Sequence, residues 1–292
     1  MKRKGMVLAA VLLTVSFGII WAQTGGTVVQ GNNVADKLAW LQAFAKNGGS
    51  YIVEVMADES IAPQSFEYSD KRNITITLRG VGANRTLSFW STRSSNDWMF
   101  TIWSGVTLVL DNNITLKGRG NNDGCLVAVH GTFIMNEGSA ITGNTNTFGR
   151  GGGVYIGEGT FTMNGGTISG NTAGGSYGNG GGVFMENGTF TMKGGTISGN
   201  AASSNGGGVY LNGGNFTKTG GTITGYTSDK ANGNTVKNAS GVIQNYKGHA
   251  VYAYGPKIRE GTAGPGDNLS CSYNYSIWDG SEMVASDGVW DN

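Results

Sequence analysis

Between Gly151 and Gly225 the chain carries three near-copies of one motif, and this repetition constrains its fold more than any other feature. The copies are GGGVYIGEGTFTMNGGTISGNTA from Gly151, GGGVFMENGTFTMKGGTISGNAA from Gly180 and GGGVYLNGGNFTKTGGTITGYTS from Gly206. Val154, Val183 and Val209 correspond; so do Phe161, Phe190 and Phe216, and Ile168, Ile197 and Ile223. The period is 29 residues and then 26, while Val to Phe and Phe to Ile are 7 apart every time. All of the length change falls after Gly170-Asn171 or Gly199-Asn200, as expected of a stacked coil with one variable loop.

Each unit holds three short alternating stretches separated by Gly- and Asn-rich turns. The period of 2 in Thr160-Phe161-Thr162-Met163 puts Phe161 and Met163 on one face and both Thr on the other. The same parity turns Val154 and Ile156 inward and Tyr155 outward. Strands that recur at constant spacing pair with their own copies in the next unit, not with each other as hairpins. The expected fold is all-β: a right-handed parallel β-helix with three strands per coil, in which Val stacks on Val, Phe on Phe and Ile on Ile about 4.8 Å apart. Glycine at 52 of 292 residues excludes a helical solenoid. The 3 Pro and the missing Gly-X-Y period exclude collagen, and 10% aromatic residues exclude a disordered linker.

Weaker copies extend upstream. Leu126, Phe133 and Ile141 fit with one residue inserted in Asn136-Glu137-Gly138-Ser139, and 107–110, 113–116, 74–78 and 86–89 read as strands of earlier coils. Asn144, Asn171 and Asn200 recur at one turn, where their amides can bond the backbone of neighbouring coils; Tyr226 takes that place in the last clear copy. A helix is expected from Asn33 to Lys46, with Leu38, Leu41, Phe44 and Ala45 on one face, Asn33 or Asn32 as cap and Gly48-Gly49 as stop. It would plug the N-terminal end of the solenoid. The domain reading is thus a signal over 1–22, a helical cap over 23–50, a β-helix over 51–254 and a C-terminal cap over 255–292.

Lys2, Arg3 and Lys4 followed by the apolar stretch Met6–Trp21 read as a secretory signal with a cut after Ala22, so the expected location is extracellular, cell-surface or periplasmic. Removing it changes the balance of 20 Lys+Arg and 19 Asp+Glu to 17 against 19, near neutrality, which excludes an electrostatic nucleic-acid binder. No later segment is apolar enough for a membrane-spanning helix. Cys125 and Cys271, the two cysteines, form either one long-range disulfide or two separate thiols.

GGGVY followed by GTFTMNGGTISGN resembles the exported β-helix repeat proteins of bacteria, many of them spirochaetal. The flanks LAWLQAFA, DESIAP and GHAVYAYGPKIREGTAGPG extend the resemblance over most of the chain. The repeats are more loosely similar to polymorphic outer-membrane proteins and autotransporter passengers. Residues 251–292 are too short for the membrane barrel of an autotransporter. The resemblance implies an adhesin-like, pectin lyase-like fold and brings no catalytic residues with it.

The residues themselves offer little for catalysis. Glycan-cleaving β-helices need clustered carboxylates, or acids that hold calcium beside a base. From Gly151 to Gly225 the acids are Glu158 and Glu186 and the bases Lys193 and Lys218; Asp111, Asp123 and Glu137 sit in earlier turns. His130 and His249 match no triad or metal spacing. No catalytic residue, metal or cofactor is assigned. Two outward columns remain. Tyr155, Phe184 and Tyr210 form an aromatic ladder that either stiffens the sheet or contacts a sugar or another cell surface. Thr160, Thr162, Thr189, Thr191 and Thr217 form a polar face that is ordinary strand surface or, as a lesser alternative, an ice-binding array. The expected role is a non-enzymatic carbohydrate- or surface-binding scaffold. The alternative is a polysaccharide lyase or glycoside hydrolase with acids from the loops at 57–72, 90–99 or 226–240.

Overall fold

The computed structural model describes residues 25–68, 72–91, 98–245 and 247–253, together with the backbone pairing of the strands at 269–272, 284–286 and 289–290. The proposed signal lies outside the described residues. The chain is a parallel β-solenoid of about 7 turns, with a single short helix among the described residues.

The repeat dictates the register. Val154, Tyr155 and Ile156 pair with Val183, Phe184 and Met185, and these with Val209, Tyr210 and Leu211. Phe161 pairs with Phe190 and Phe190 with Phe216; Ile168 pairs with Ile197 and Ile197 with Ile223. First strands build an 8-stranded sheet that reaches back to Gln64–Phe66 and forward to Val251–Ala253. Second and third strands join in a 15-stranded sheet, because Thr189–Ser198 and Asn215–Thr224 each run through both positions. The upstream copies enter the same ladders: Val106–Leu110 and Ile114–Lys117 pair with Thr132–Met135 and Ser139–Thr142. The extra residue after Phe133 is absorbed by the turn at Gly138, whose φ of 76° suits glycine.

The core is a set of columns. Phe133, Phe161, Phe190 and Phe216 stack with ring centroids 4.8–5.0 Å apart. All four are buried. In the next inward column Met135, Met163 and Met192 are followed by Lys218, also buried. The three expected strands per coil are present, and four coils add one more. A fourth, two-residue strand follows the Asn turn, and 145–146, 172–173, 201–202 and 235–236 form a 4-stranded sheet.

The Asn ladder is present and longer than the sequence suggests. Asn144, Asn171, Asn200 and Asn234 are all buried. The N–H of Asn171 donates to Asn200 Oδ1 at 3.0 Å and that of Asn200 to Asn234 Oδ1 at 2.9 Å. Tyr226 does not take the fourth rung. The chain leaves the coil at Gly225, loops out, and returns so that Asn234 bridges Gly225 and fills the position. An amide is needed there because the rung's own backbone and the carbonyls beside it are sealed from water.

The helix runs Val34–Phe44, with Asn33 capping it through Asp36 N–H at 2.8 Å. Leu38, Leu41 and Ala45 are buried against the first coils as expected, but Phe44 is exposed. The helix ends at Ala45 in an extended conformation, before Gly48 is reached, so Phe44 turns out of the buried face. At the other end the tail strands 269–272, 284–286 and 289–290 pair antiparallel with the last strands of both large sheets. This closes the open edges left by the final coil.

Cys125 is buried and its thiol is free. It sits beside the first strand Val127–Val129, whereas the Cys271 strand pairs with Phe216, three coils further along. Four rises of about 4.8 Å, three to Phe216 and one more to the strand paired with it, separate the two by about 19 Å along the axis, beyond the reach of a disulfide.

Candidate functional site

The outward aromatic column forms as the register requires. Tyr155, Phe184 and Tyr210 stack nearly parallel, with centroids 5.8 and 5.2 Å apart, and Tyr252 extends the stack at 5.4 Å. It is not an open strip, however. Phe184 is 3% exposed and Tyr210 7%. Each inner ring has both faces covered by its neighbours, and the glycine turns fold against its base. A Cβ on Gly206 would lie 2.8 Å from Tyr210 Cβ, and one on Gly248 2.7 Å from Tyr252 Cβ. Of the three expected contact residues only Tyr155 is half-open. The column stops there because the preceding coil offers Ala128 in the same register.

At this end of the column lies a groove of about 440 Å³ lined by Trp98, Asp123, Gly124, His130, Asn146, Phe148, Arg150, Tyr155 and Tyr177. Its walls come from the variable loops. Phe148 and Tyr177 are 68% and 74% exposed. They occupy equivalent places in consecutive coils, since Arg150, Asn179 and Asn205 bridge one another in sequence along the stack. Asn146 holds the first of these loops: its Oδ1 accepts from Phe148 N–H and Gly149 N–H, both at 3.0 Å, and its Nδ2 donates to Gly151 O at 2.8 Å. His130 stacks on Trp103 at 4.7 Å and meets Tyr155 at 6.2 Å.

The polar groups of the groove are engaged unequally. Arg150 Nη1 donates to Glu186 Oε1 at 2.9 Å and its guanidinium lies 5.8 Å from the Phe184 centroid. The Tyr155 hydroxyl donates to the other Glu186 oxygen. Burial first, and then the Glu186 carboxylate, raise the Tyr155 phenol above its ordinary pKa, so it remains a neutral donor. Asp123 Oδ1 accepts from Thr147 Oγ1 at 2.6 Å, which leaves Oδ2 available to a ligand.

Phe148 and Tyr177 are not among the residues expected from the sequence; the signal that marks them is FGRGGG and YGNGGG, an aromatic residue preceding the glycine run in two successive variable loops. The third loop, SSNGGG, has none. Glu186, which alignment on the second strand leaves unmatched, is placed by that misalignment to reach back one coil to Arg150.

The Thr residues stay in register: Thr132, Thr160, Thr189 and Asn215 form one column and Ile134, Thr162, Thr191 and Thr217 the next. Ile134 upstream and Asn215 downstream restrict coils with a Thr pair in both columns to two. Among the described residues, no group of three or more His, Cys, Asp or Glu side chains could hold a metal ion, and no helix is long and apolar enough to cross a membrane.

Comparison of the chain with protein-family models, with curated proteins and with solved structures gives no match.

Proposed function

We propose that this protein is an exported, non-catalytic scaffold that binds carbohydrate in the groove at the end of the aromatic column. The observation that carries this reading is the convergence of Trp98, Phe148, Tyr155 and Tyr177 with Asp123, His130 and Asn146 around one opening. Aromatic faces pack against the apolar faces of sugar rings, while carboxylate, amide and imidazole groups address the hydroxyls. Exposed aromatic side chains on loops are a liability unless they have a partner. Here glycine turns and the Asn146 side chain hold them on a stacked backbone, so little ordering remains to be done on binding.

Catalysis is the rival reading. Cleaving a glycosidic bond with two carboxyl groups requires one that can give a proton and one that can act as base or nucleophile, about 5 to 9.5 Å apart. Glu186 is already occupied by Arg150 and Tyr155, which leaves Asp123 as the one acid among the described residues that line the groove.

The test is a glycan array probed with the chain from Gln23 and with a Phe148→Ala/Tyr177→Ala variant, with array spots analysed for cleavage. Binding that the variant loses while its circular dichroism is unchanged supports the proposal. Binding retained by the variant, or release of cleaved sugar, refutes it.

A further inference from the structure

The groove's charges also indicate which sugars it takes. Among the described residues, Asp123 and Arg150 are the charged side chains that line it, and Glu186 stands beside Arg150. Arg150, the cation an acidic sugar would need, is bound to Glu186 at 2.9 Å and held over the Phe184 ring. The Glu186 carboxylate offsets the Arg150 charge although only one guanidinium nitrogen is engaged, so an incoming uronate would face both Glu186 and the open oxygen of Asp123 with no net positive charge from this pair. The second Glu186 oxygen is taken by Tyr155, so the ion pair is fixed from two sides. Asp123, by contrast, is anchored on one side by Thr147 and keeps an acceptor for a sugar hydroxyl.

We infer that the groove selects uncharged glycans and rejects acidic ones, and that Glu186 sets this choice by neutralising Arg150. The inference rests on the carbohydrate reading above and extends it to a ligand class. Like charges brought together at a binding site carry a heavy penalty, and removing one of them relieves it. The closest substitution is Glu186→Gln, which keeps the shape and an acceptor oxygen for Arg150, places an NH2 donor where the Tyr155 oxygen can accept, and removes the negative charge.

Isothermal titration with neutral hexamers of glucose, xylose, mannose and N-acetylglucosamine, and with acidic hexamers of galacturonate and guluronate, tests the inference. The wild-type chain is expected to bind at least one neutral hexamer, and acidic hexamers roughly tenfold or more weaker. Glu186→Gln is expected to gain roughly tenfold for an acidic hexamer with little change for the neutral one. Asp123→Asn is expected to weaken the neutral hexamer by about tenfold, the worth of a hydrogen bond to a charged acceptor. Acidic hexamers bound by the wild type as tightly as neutral ones would overturn the inference and leave the carbohydrate reading standing. An unchanged acidic affinity in a folded Glu186→Gln variant would overturn the role of Glu186. Failure of the wild-type chain to bind any of the six would overturn both.

Discussion

Replacing Asn200 by Ala removes the middle of the Asn ladder and should be among the most damaging single substitutions in the chain. The side chain is fully buried. Its Oδ1 accepts from the Asn171 N–H at 3.0 Å and the Asn171 Nδ2 at 3.1 Å, and its Nδ2 donates to Ile168 O and Asn234 Oδ1, both at 2.9 Å. Alanine leaves the Asn171 N–H without an acceptor in a region closed to water, at about 2 kcal/mol. It also forfeits the two bonds that the Asn200 Nδ2 donates to Ile168 O and Asn234 Oδ1, at about 1 kcal/mol each, while the Asn171 Nδ2 keeps Ile141 O and Ser169 O as acceptors. The total is about 4 kcal/mol. With an unfolding entropy of about 2.1 cal/mol/K per residue over roughly 230 residues, the melting midpoint should fall by about 8 °C. Solenoids can unfold in parts, so the local readout is hydrogen exchange at the Asn171 amide, which should lose protection well beyond any change at Phe161. A midpoint within about 2 °C of wild type, with Asn171 still protected, would refute the view that the ladder holds neighbouring coils together.

Phe190→Ala should cost about 3–5 kcal/mol, because its ring is fully buried between Phe161 at 4.8 Å and Phe216 at 5.0 Å; urea denaturation measures it. Gly181→Ala should prevent correct stacking, since its Cβ would come within 2.3 Å of Ala201 O, at the end of its own coil, and 2.4 Å of Gly207 O, in the next, both backbone atoms; the soluble yield and circular dichroism of the variant report this. In a Cys271→Ser background, Cys125 should resist a thiol reagent at pH 8 in the native state and react once unfolded, because burial pushes its pKa up to about 12. The sign for stability follows. The native thiol stays neutral while the unfolded one ionises near 8.5, so its contribution is complete below that pH and is lost as pH rises towards 12, by about 1.4 kcal/mol per pH unit. Melting midpoints across pH 8–11 for Cys125 and Cys125→Ala chains isolate that slope.

The fold was legible because a 7-residue spacing and a period of 2 act at every level of the structure. Once Val154, Phe161 and Ile168 are aligned with their copies, parallel pairing and the inward columns follow with no free choice. Upstream strands were found despite weak similarity because an inserted residue at Asn136–Ser139 shifts the turn and leaves the register intact. Loops were harder to read. The return of the chain at Asn234 is a long-range event that no local pattern around Tyr226 discloses. Phe44 was misassigned because helical periodicity says which residues share a face but not where the helix stops being covered.

The candidate site divides in the same way. Parity identified the outward column of Tyr155, Phe184 and Tyr210, but parity separates the two faces of a sheet and says nothing about shielding. Stacked rings bury one another, so the more regular the ladder, the less of it a ligand can touch. The open aromatic faces lie at the irregular end, where Ala128 breaks the column and the loops bearing Phe148 and Tyr177 stand, and the proposed recognition is placed there. Arg150 and Glu186 are 36 positions apart and in different coils, a pairing that only the stacking of coils brings about.

The most direct test of this account sets the groove against the ladder. A glycan that binds the wild-type chain is titrated by calorimetry into Phe148→Ala/Tyr177→Ala and, separately, into Tyr210→Phe, which keeps the stack but alters a buried rung. Loss of binding in the first variant and wild-type affinity in the second is the predicted result. Wild-type affinity in the first variant and loss in the second would place recognition on the ladder and contradict the account.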